Sequence, residues 1–161
     1  MAALYAFRPM TTADLPLIRQ WLAKPHVREW WGDPDEQYAL VSGDLAEPAM
    51  DQYVVAATGS DFGYIQCYDP TAWNSGFGTH PEGTRGIDLF IGEPAMIARG
   101  HGSAFIRAFV DDRLRNGAPR IVTDPDPANR RAVRAYENAG FEKVHLVDTP
   151  DGAALLMVRN P

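Results

Sequence analysis

The hydrophobic positions along the 161-residue chain follow two alternating periods. Apolar residues that alternate with polar ones, or run together for about 4 to 8 residues, predict strands, whereas apolar residues three or four positions apart predict amphipathic helices. The strand pattern occurs in seven segments: LYAFRP, QYVVAAT, FGYIQCYD, TRGIDLFIG, APRIVTD, FEKVHLV and AALLMVR. The second and third segments are separated by a short GSD stretch, which predicts a hairpin.

The helical pattern occupies five segments between these strands. Thr11 and Asp14 have the spacing of a capping box at the start of the first helix, and Gly32 predicts the end of the second. The other three segments are DPDEQYALVSGDL, Arg99 to Arg115, and DPANRRAVRAYENAGF. In the last of them, Asp126 is predicted as N-cap, Pro127 as the first helical residue and Gly140 as the residue just past the end. The Arg99 to Arg115 helix is predicted to turn one apolar face inward, consisting of Phe105, Ile106, Phe109, Val110 and Leu114.

Strands and helices alternate without regular βαβ units, which predicts an α/β fold with a mixed sheet flanked by helices. The length fits one domain spanning residues 1–161. The segment from Asp69 to Thr84 is rich in Gly, Pro and Thr and lacks periodicity, so we expect a long loop there. Long ordered loops in compact domains are often functional.

Composition and net charge limit the classes of molecule that the protein could bind. The net charge is −6 and the pI is about 5.1, which argues against nucleic acid or an anionic membrane as the main partner. Cys67 is the one cysteine, so we expect a reducing, cytoplasmic compartment. The four histidines, His26, His80, His101 and His145, are scattered without metal-ligand spacing, so no metal site is predicted.

Two glycines one residue apart open the fourth helix. The amide groups at a helix N-terminus favour anions, and glycine lets a phosphate approach the backbone closely. The loop Arg99-Gly100-His101-Gly102-Ser103 is therefore a candidate anion site, with a plain glycine turn as the alternative. The Walker motif is absent, and Phe105 stands where the Rossmann fingerprint requires its third glycine.

Several polar residues stand at positions that suggest a cleft. Asp88 lies inside an apolar strand, where a carboxylate is either paired with Arg85 or Arg99 or serves in catalysis. Asp124 ends the strand RIVTD. It either forms the turn that follows the strand or faces a ligand at the strand's C-terminal end. Tyr136 lies on an apolar helix face, typical of a core aromatic. The aromatic and amide residues that could line a pocket for a cationic molecule are Trp30, Trp31, Tyr64, Gln66 and Tyr68.

Two motifs together identify a family. Gly100 and Gly102 match the Q/R-x-x-G-x-G/A loop of the Gcn5-related N-acetyltransferases (GNAT), with Ile97 in place of Gln or Arg. About thirty residues later the chain resembles their N-x-x-A-x-x-x-Y-E-x-x-G-F helix. The matching residues there are Asn129, Ala132, Tyr136, Glu137, Gly140 and Phe141. The segments HVREWWG, GYIQCY, RGID, TDPDPANRRAVRAYENAGFE and TPDG further resemble aminoglycoside 6′-N-acetyltransferases of the Ib type.

The resemblance implies a GNAT fold with a splay between the GIDLFIG and RIVTD strands, where acetyl-coenzyme A is bound without a metal. It implies that Asp88 is the general base, that Tyr136 assists departure of the thiolate, and that Asp124 contacts the substrate amine. It also implies that the substrate is a primary amine, the 6′-amine of a cationic aminoglycoside, and that the protein is a monomer or homodimer. The residues implied to contact acetyl-coenzyme A are Leu89, Phe90, Ile91, Arg99, Gly100, His101, Gly102, Ser103, Ala104, Asn129 and Tyr136. The residues implied to contact the acceptor are Trp30, Trp31, Tyr64, Gln66, Tyr68, Asp88 and Asp124.

Two alternatives remain open at the level of sequence. Siderophore-type lysine or hydroxylysine N-acyltransferases share an aromatic N-terminal segment and an LFIG-like strand, but commonly have His where this chain has Asp88. A non-catalytic module that binds acyl-coenzyme A is the other alternative, and the presence of both Asp88 and Tyr136 argues against it.

Overall fold

The computed structural model describes residues 4–73 and 76–161. Among these residues, seven strands form a sheet in the order β1-β2-β3-β4-β5-β7-β6. They are β1 Tyr5–Pro9, β2 Met50–Ala57, β3 Ser60–Tyr68, β4 Arg85–Ile91, β5 Ile121–Thr123, β6 Glu142–Thr149 and β7 Gly152–Arg159. Strands β4 and β5 run parallel, whereas the pairs β1–β2, β5–β7 and β6–β7 are antiparallel. The predicted mixed sheet of seven strands is confirmed.

Five α-helices occupy the predicted positions within the described residues. They are α1 Leu15–Leu22, α2 Pro25–Trp31, α3 Pro34–Asp44, α4 His101–Arg115 and α5 Arg130–Asn138. The predicted capping box is present, because the backbone N–H of Thr11 donates to Asp14 Oδ2 at 2.9 Å just before α1. Gly32 is the C-cap that ends helix α2, as predicted, and it has a φ of 89° that glycine adopts without strain. Across the described part of the chain, every helix is too short or too polar to span a bilayer.

The start of α5 differs from the prediction. Asp126 is predicted to cap this helix, but its carboxylate accepts from the N–H of Ala128 at 2.9 Å in a turn that precedes it. The N-cap is Asn129, whose Oδ1 accepts from Ala132 N at 3.2 Å. Pro127 consequently lies outside the helix. Asp and Asn are both strong cap formers, and here each satisfies a backbone donor of its own. The other end is as predicted, since Gly140 follows α5 with a φ of +95°.

The described chain divides into two compact units. The first comprises the described residues of Met1–Cys67 together with Leu89–Arg99. Its core contains Ile18, Trp21, Leu22, Val27, Val54, Tyr64 and Phe90. The indole N–H of Trp21 donates to Glu93 Oε1 at 2.8 Å. A Cβ at Gly92 would lie 2.2 Å from the Trp21 ring, so the backbone approaches this ring more closely than any side chain would allow.

The second unit comprises the described residues of Tyr68–Asp88 together with Gly100–Pro161. Helix α4 buries four of its five predicted inward residues, Phe105, Ile106, Phe109 and Val110, whereas Leu114 is half-buried. Arg159 at the end of β7 ties both helices of this unit together. Its guanidinium contacts Asp111 Oδ1 of α4 at 2.7 Å and donates to the carbonyl of Ala139 beyond α5 at 2.9 Å. This arrangement holds α5 against β7 and α4.

Candidate active site

The parallel strands β4 and β5 pair over a short distance in the second unit. The paired residues are Arg85 with Ile121 and Gly86 with Val122. At the next position the hydroxyl of Thr123 donates to the carbonyl of Ile87 at 3.0 Å. The Thr123 side chain thus makes the hydrogen bond to β4 at the position where the backbone pairing of β4 and β5 ends. Asp88 and Asp124 are the next residues of the two strands, which explains how two carboxylates come to share one end of a buried pair.

The charge of Asp88 affects the pKa of the Asp124 carboxyl group. Partial burial raises the pKa of Asp124, the negative charge of Asp88 raises it further, and Asp151 in the β6–β7 turn adds a smaller effect in the same direction, giving a pKa of about 8. Burial and the neighbouring negative charge therefore favour the protonated form of Asp124 when no cation is bound. A cationic group placed between the two aspartates would remove that repulsion and favour the charged form.

Tyr136 joins this group from α5. Its side chain is buried. Burial raises the pKa of its phenol above the ordinary value, and the charges of Asp88 and Asp124 raise it further. Tyr136 therefore stays neutral and holds a transferable proton beside two carboxyl groups. Three of the predicted site residues are thus brought together in one unit.

In the first unit, Trp31, Tyr64 and Phe90 form an aromatic cluster. The Trp31 ring centroid lies 5.1 Å from that of Phe90 and 6.1 Å from that of Tyr64. The adjacent Trp30 remains 39% exposed, so the two tryptophans differ in environment. Any contact of either tryptophan with an acceptor stays a prediction.

The predicted polar face of β3 is more deeply buried than its sequence indicates. The Tyr64 hydroxyl accepts from Gln52 Nε2 at 3.0 Å and donates to Gln66 Oε1 at 2.7 Å. Tyr64 is completely buried, so it orients Gln66, which is half-buried. Tyr68, in the second unit, packs against the Cα of Gly86 and contacts the Trp73 ring. Their contact with an acceptor also stays a prediction.

The end of β4 has an irregular hydrogen-bond pattern. The amides of Gly92 and Glu93 both donate to the carbonyl of Phe62, at 2.7 and 3.2 Å. Two donors on one acceptor are typical of a β-bulge. The carbonyl of Ile91 lies 2.8 Å from Nε2 of His26, which must donate because a carbonyl only accepts. This bulge follows Leu89, Phe90 and Ile91, whose predicted contacts with acetyl-coenzyme A stay predictions.

The glycine loop forms a left-handed turn at the N-terminus of α4. Gly100 is the N-cap of α4 and is left-handed, with φ of +79°. The preceding Ala98 has φ of +59°, which is uncommon for a residue other than glycine. The first turn of α4 holds no acidic residue, and Arg99 is exposed. Such a terminus fits an anionic group, whereas contacts by the loop and by Asn129 remain predictions.

The predicted loop between Asp69 and Thr84 contains a cavity of about 570 Å³ in the second unit. Asp69 accepts from the N–H and the hydroxyl of Thr71 at 3.0 and 2.7 Å, and these bonds lower the pKa of its carboxyl group. Glu82 and the partly exposed Trp73 also line the cavity. The cavity therefore combines a stabilised carboxylate with an aromatic ring. Its lining does not include Asp88, Asp124 or Tyr136.

Sequence reasoning missed three residues that shape these groups. Thr123 is a buried polar residue in an otherwise apolar strand, and that pattern is the one sequence signal that could have identified it. Asp151 affects Asp124 through the fold of the β6–β7 turn, and Gln52 orients Tyr64 from the neighbouring strand. Neither has a local sequence signal. Among the described residues, no group of three or more His, Cys, Asp or Glu side chains is arranged to hold a metal ion.

The chain is similar to a known protein family, to its curated members and to solved structures. Residues 10–149 match the family described as Acetyltransferase (GNAT) domain. The chain is 37% identical to an aminoglycoside N(6′)-acetyltransferase type 1 of Klebsiella pneumoniae, over 94% of this chain and 81% of that protein. It is similar to the structure of AAC(6′)-Ib with parmomycin and acetyl-CoA, with TM-score 0.88 and 32% identity, covering 98% of this chain and 94% of that one.

A second AAC(6′)-Ib structure, in complex with coenzyme A and kanamycin, has TM-score 0.85 and 35% identity, covering 97% of this chain and 94% of that one. The family match covers most of the chain, and the relatives are those that the sequence resemblance predicted. The chain therefore belongs to the GNAT acetyltransferases.

Proposed function

We propose that this protein transfers the acetyl group of acetyl-CoA to the 6′-amine of an aminoglycoside. The observation that carries this proposal is the cluster of Asp88, Asp124 and Tyr136 at the end of β4 and β5. It supplies an acceptor for the amine proton, a second carboxyl group for a cation and a neutral proton donor. The similarity to relatives named for this activity supports the same substrate class.

The reaction is a direct transfer in one covalent step. An ammonium has no free electron pair, so the acceptor reacts after it has lost one proton to solvent. The neutral amine nitrogen then attacks the thioester carbonyl carbon, and Asp88 accepts the second proton of that nitrogen, directly or through water, as the amide bond forms. The carbon–sulfur bond breaks with its electron pair on sulfur, and the phenol of Tyr136 gives its proton to that sulfur. A backbone N–H near Leu89 or Phe90 polarises the carbonyl oxygen.

The binding groups are assigned by their chemistry. Asp124 ionises when the cationic acceptor arrives and pairs with it. Gln66, Tyr68 and the two tryptophans supply hydrogen bonds and aromatic faces to a sugar amine. Asp69 and Glu82 add negative charge for the other amines of a polycation. The helix α4 terminus, comprising Arg99, Gly100, His101, Gly102, Ser103 and Ala104, binds the pyrophosphate of acetyl-CoA, and Asn129 contacts the same molecule.

We also propose that residues 1–161 form a single acetyltransferase domain that acts in the cytoplasm as a monomer or homodimer. The match over residues 10–149 supports one domain, and a single, buried cysteine at position 67 fits a reducing compartment. No metal is assigned to the reaction.

The test is release of free coenzyme A thiol from acetyl-CoA with kanamycin, with tobramycin and with an aminoglycoside that carries a 6′-hydroxyl. We expect thiol release with the two 6′-amino compounds and none above background with the 6′-hydroxyl compound. Asp88→Asn and Tyr136→Phe should each lower kcat. Thiol release with a hydroxylysine-type amine alone would favour the siderophore-type reaction. Binding of coenzyme A without turnover of any amine would favour a non-catalytic module.

A further inference from the structure

His26 connects helix α2 to the end of strand β4 within the first unit. It lies in the first turn of α2, is half-buried, and its Nε2 donates to the carbonyl of Ile91 at 2.8 Å. That carbonyl belongs to the peptide group between Ile91 and Gly92. The N–H of the same peptide group donates to the carbonyl of Phe62 in β3 at 2.7 Å. The peptide group at the end of β4 is therefore held by a hydrogen bond on each side.

The planarity of this peptide group fixes the side from which His26 approaches. In a trans peptide group the C=O and the N–H point in opposite directions. Because the N–H of Gly92 points at β3, the carbonyl of Ile91 points away from β3. His26 therefore lies at the edge of β4 that faces away from β3.

The N–H of Ile91 faces the same edge. A Cβ at Gly63 of β3 would lie 3.0 Å from the carbonyl oxygen of Phe90, so this carbonyl points toward β3. The N–H of Ile91 is part of the same planar peptide group and consequently points away from β3. Both backbone groups of Ile91 thus face one edge, where His26 binds the carbonyl beside the N–H.

Helix α2 holds the His26 ring in a defined place. The helix has seven residues, and its last residue, Trp31, contacts β4 through a ring-to-ring distance of 5.1 Å to Phe90. The two ends of α2 therefore contact two consecutive residues of β4, Phe90 through a ring and Ile91 through a hydrogen bond. A donor that is held in this way opposes rotation of the peptide group at the end of the strand.

We propose that His26 is a positioning residue for the binding of acetyl-CoA. By holding the carbonyl of Ile91, it keeps this residue extended and presents the Ile91 N–H to an amide carbonyl of acetyl-CoA. The Nε2 hydrogen of His26 is used on the Ile91 carbonyl, so His26 takes no part in proton transfer. This inference rests on the acetyl transfer proposed above.

The experiment is calorimetric titration of the purified protein with coenzyme A, in the absence of any acceptor. Three substitutions separate the donor from the size of the side chain. His26→Gln keeps an N–H donor at the reach of Nε2, His26→Asn has a donor that is too short to reach, and His26→Met has the reach without a donor. We expect the Kd for coenzyme A to rise about 3- to 10-fold for Asn and Met, and to stay within about 2-fold for Gln.

Steady-state thiol release with acetyl-CoA and kanamycin gives a second readout. For His26→Met the KM for acetyl-CoA should rise, while kcat at saturation with both substrates should change by less than about 3-fold. A lower kcat with an unchanged Kd would overturn the inference, because His26 would then act on the chemical step. Equal Kd values for Gln and Met would also overturn it, because the donor would then be unimportant. If His26→Met does not fold, the comparison of Gln with Asn decides in the same way.

His145→Met is the matched control. His145 also donates from a ring nitrogen to a backbone carbonyl, from Nδ1 to Leu146 at 3.1 Å, but it is exposed in β6. This variant should bind coenzyme A as the wild type does. An equal rise of Kd for His145→Met and His26→Met would count against a specific role of His26.

The inference and the proposed function fail on different results. If the wild-type protein binds coenzyme A but releases no thiol with any amine, the proposed function fails, and the order of the Kd values still tests His26. If the wild-type protein releases thiol and all three His26 variants bind coenzyme A equally well, the inference about His26 fails and the proposed function stands.

Discussion

Asp88 and Asp124 stand at the same end of the parallel strands β4 and β5, and the charge of Asp88 adds to burial in raising the pKa of Asp124 to about 8. Two carboxyl groups with unequal tendencies to ionise give one site both a base and a proton-carrying acid. The same pair costs folding free energy when no cation is bound, so it makes stability depend on pH.

The first prediction concerns that dependence. An unfolded aspartate has a pKa near 3.9. Between about pH 4 and 8 the folded protein therefore holds a proton at Asp124 that the unfolded chain has lost, and the free energy of unfolding falls as pH rises. The slope from this group is at most about 1.4 kcal/mol per pH unit. Asp124→Asn should flatten the curve and be more stable than the wild type at pH 8.

Urea unfolding at pH 5, 6, 7 and 8 measures this effect. Asp126→Asn is the control, because Asp126 lies two residues away in an exposed turn. The control should keep the wild-type slope. Indistinguishable slopes for all three proteins would contradict the account of the aspartate pair.

The second prediction concerns Asp88 itself. Asp88→Asn removes the proton acceptor, so kcat for acetyl transfer should fall about 10²- to 10⁴-fold. It also removes the like charge beside Asp124, so the pKa of the Asp124 carboxyl should fall from about 8 while remaining above its ordinary value because burial persists. Carbon-13 NMR titration of the Asp124 carboxyl measures that shift. Asp151→Asn should lower the same pKa by less, and a larger effect of Asp151→Asn would count against this ranking.

The third prediction compares two glycines that follow helices. Gly117 and Gly140 both have positive φ, +107° and +95°. A Cβ at Gly117 would meet no atom within 4 Å, whereas one at Gly140 would lie 3.1 Å from Cδ and Nε of Arg159. Gly117→Ala should cost about 1–2 kcal/mol through backbone strain alone. Gly140→Ala should cost about 1 kcal/mol more, because Arg159 must shift away from Asp111.

Urea unfolding of the two variants gives the comparison directly. In an Arg159→Met background, adding Gly140→Ala should lower the free energy of unfolding by little more than Gly117→Ala does in the wild type. The reason is that the flexible methionine can move away from the new Cβ. Equal losses for both single glycine variants would show that the contact with Arg159 is unimportant.

The fourth prediction concerns the first unit. A Cβ at Gly92 would lie 2.2 Å from the Trp21 ring, which is completely buried, so Gly92→Ala should cost about 1–3 kcal/mol through overpacking. Gly43 is an exposed residue of α3, and a Cβ there would meet no atom within 4 Å, so Gly43→Ala should instead add about 0.5–1 kcal/mol. Thermal unfolding should move in opposite directions for the two variants. A shift of the same sign would contradict the packing described at Trp21.

The sequence was most informative where one local pattern decides one local structure. Alternating apolar residues predicted all seven strands, and the Thr11 and Asp14 spacing predicted a capping box that is present. It was least informative where two residues compete for one role. Asp126 and Asn129 are both good helix caps, and the choice of Asn129 depends on how the chain turns after β5.

The sequence by itself determined the order of strands and helices, the inward face of α4 and the resemblance to GNAT acetyltransferases, because each of these depends on spacing along the chain. Only the tertiary structure decided that Asp88, Asp124 and Tyr136 lie close together, that the Thr123 hydroxyl donates to the carbonyl of Ile87, and that Tyr64 is buried and donates to Gln66. Burial, charge coupling and the direction of a hydrogen bond depend on neighbours that are distant in sequence. Residues 88, 124 and 136 influence one another only once β4, β5 and α5 have packed together.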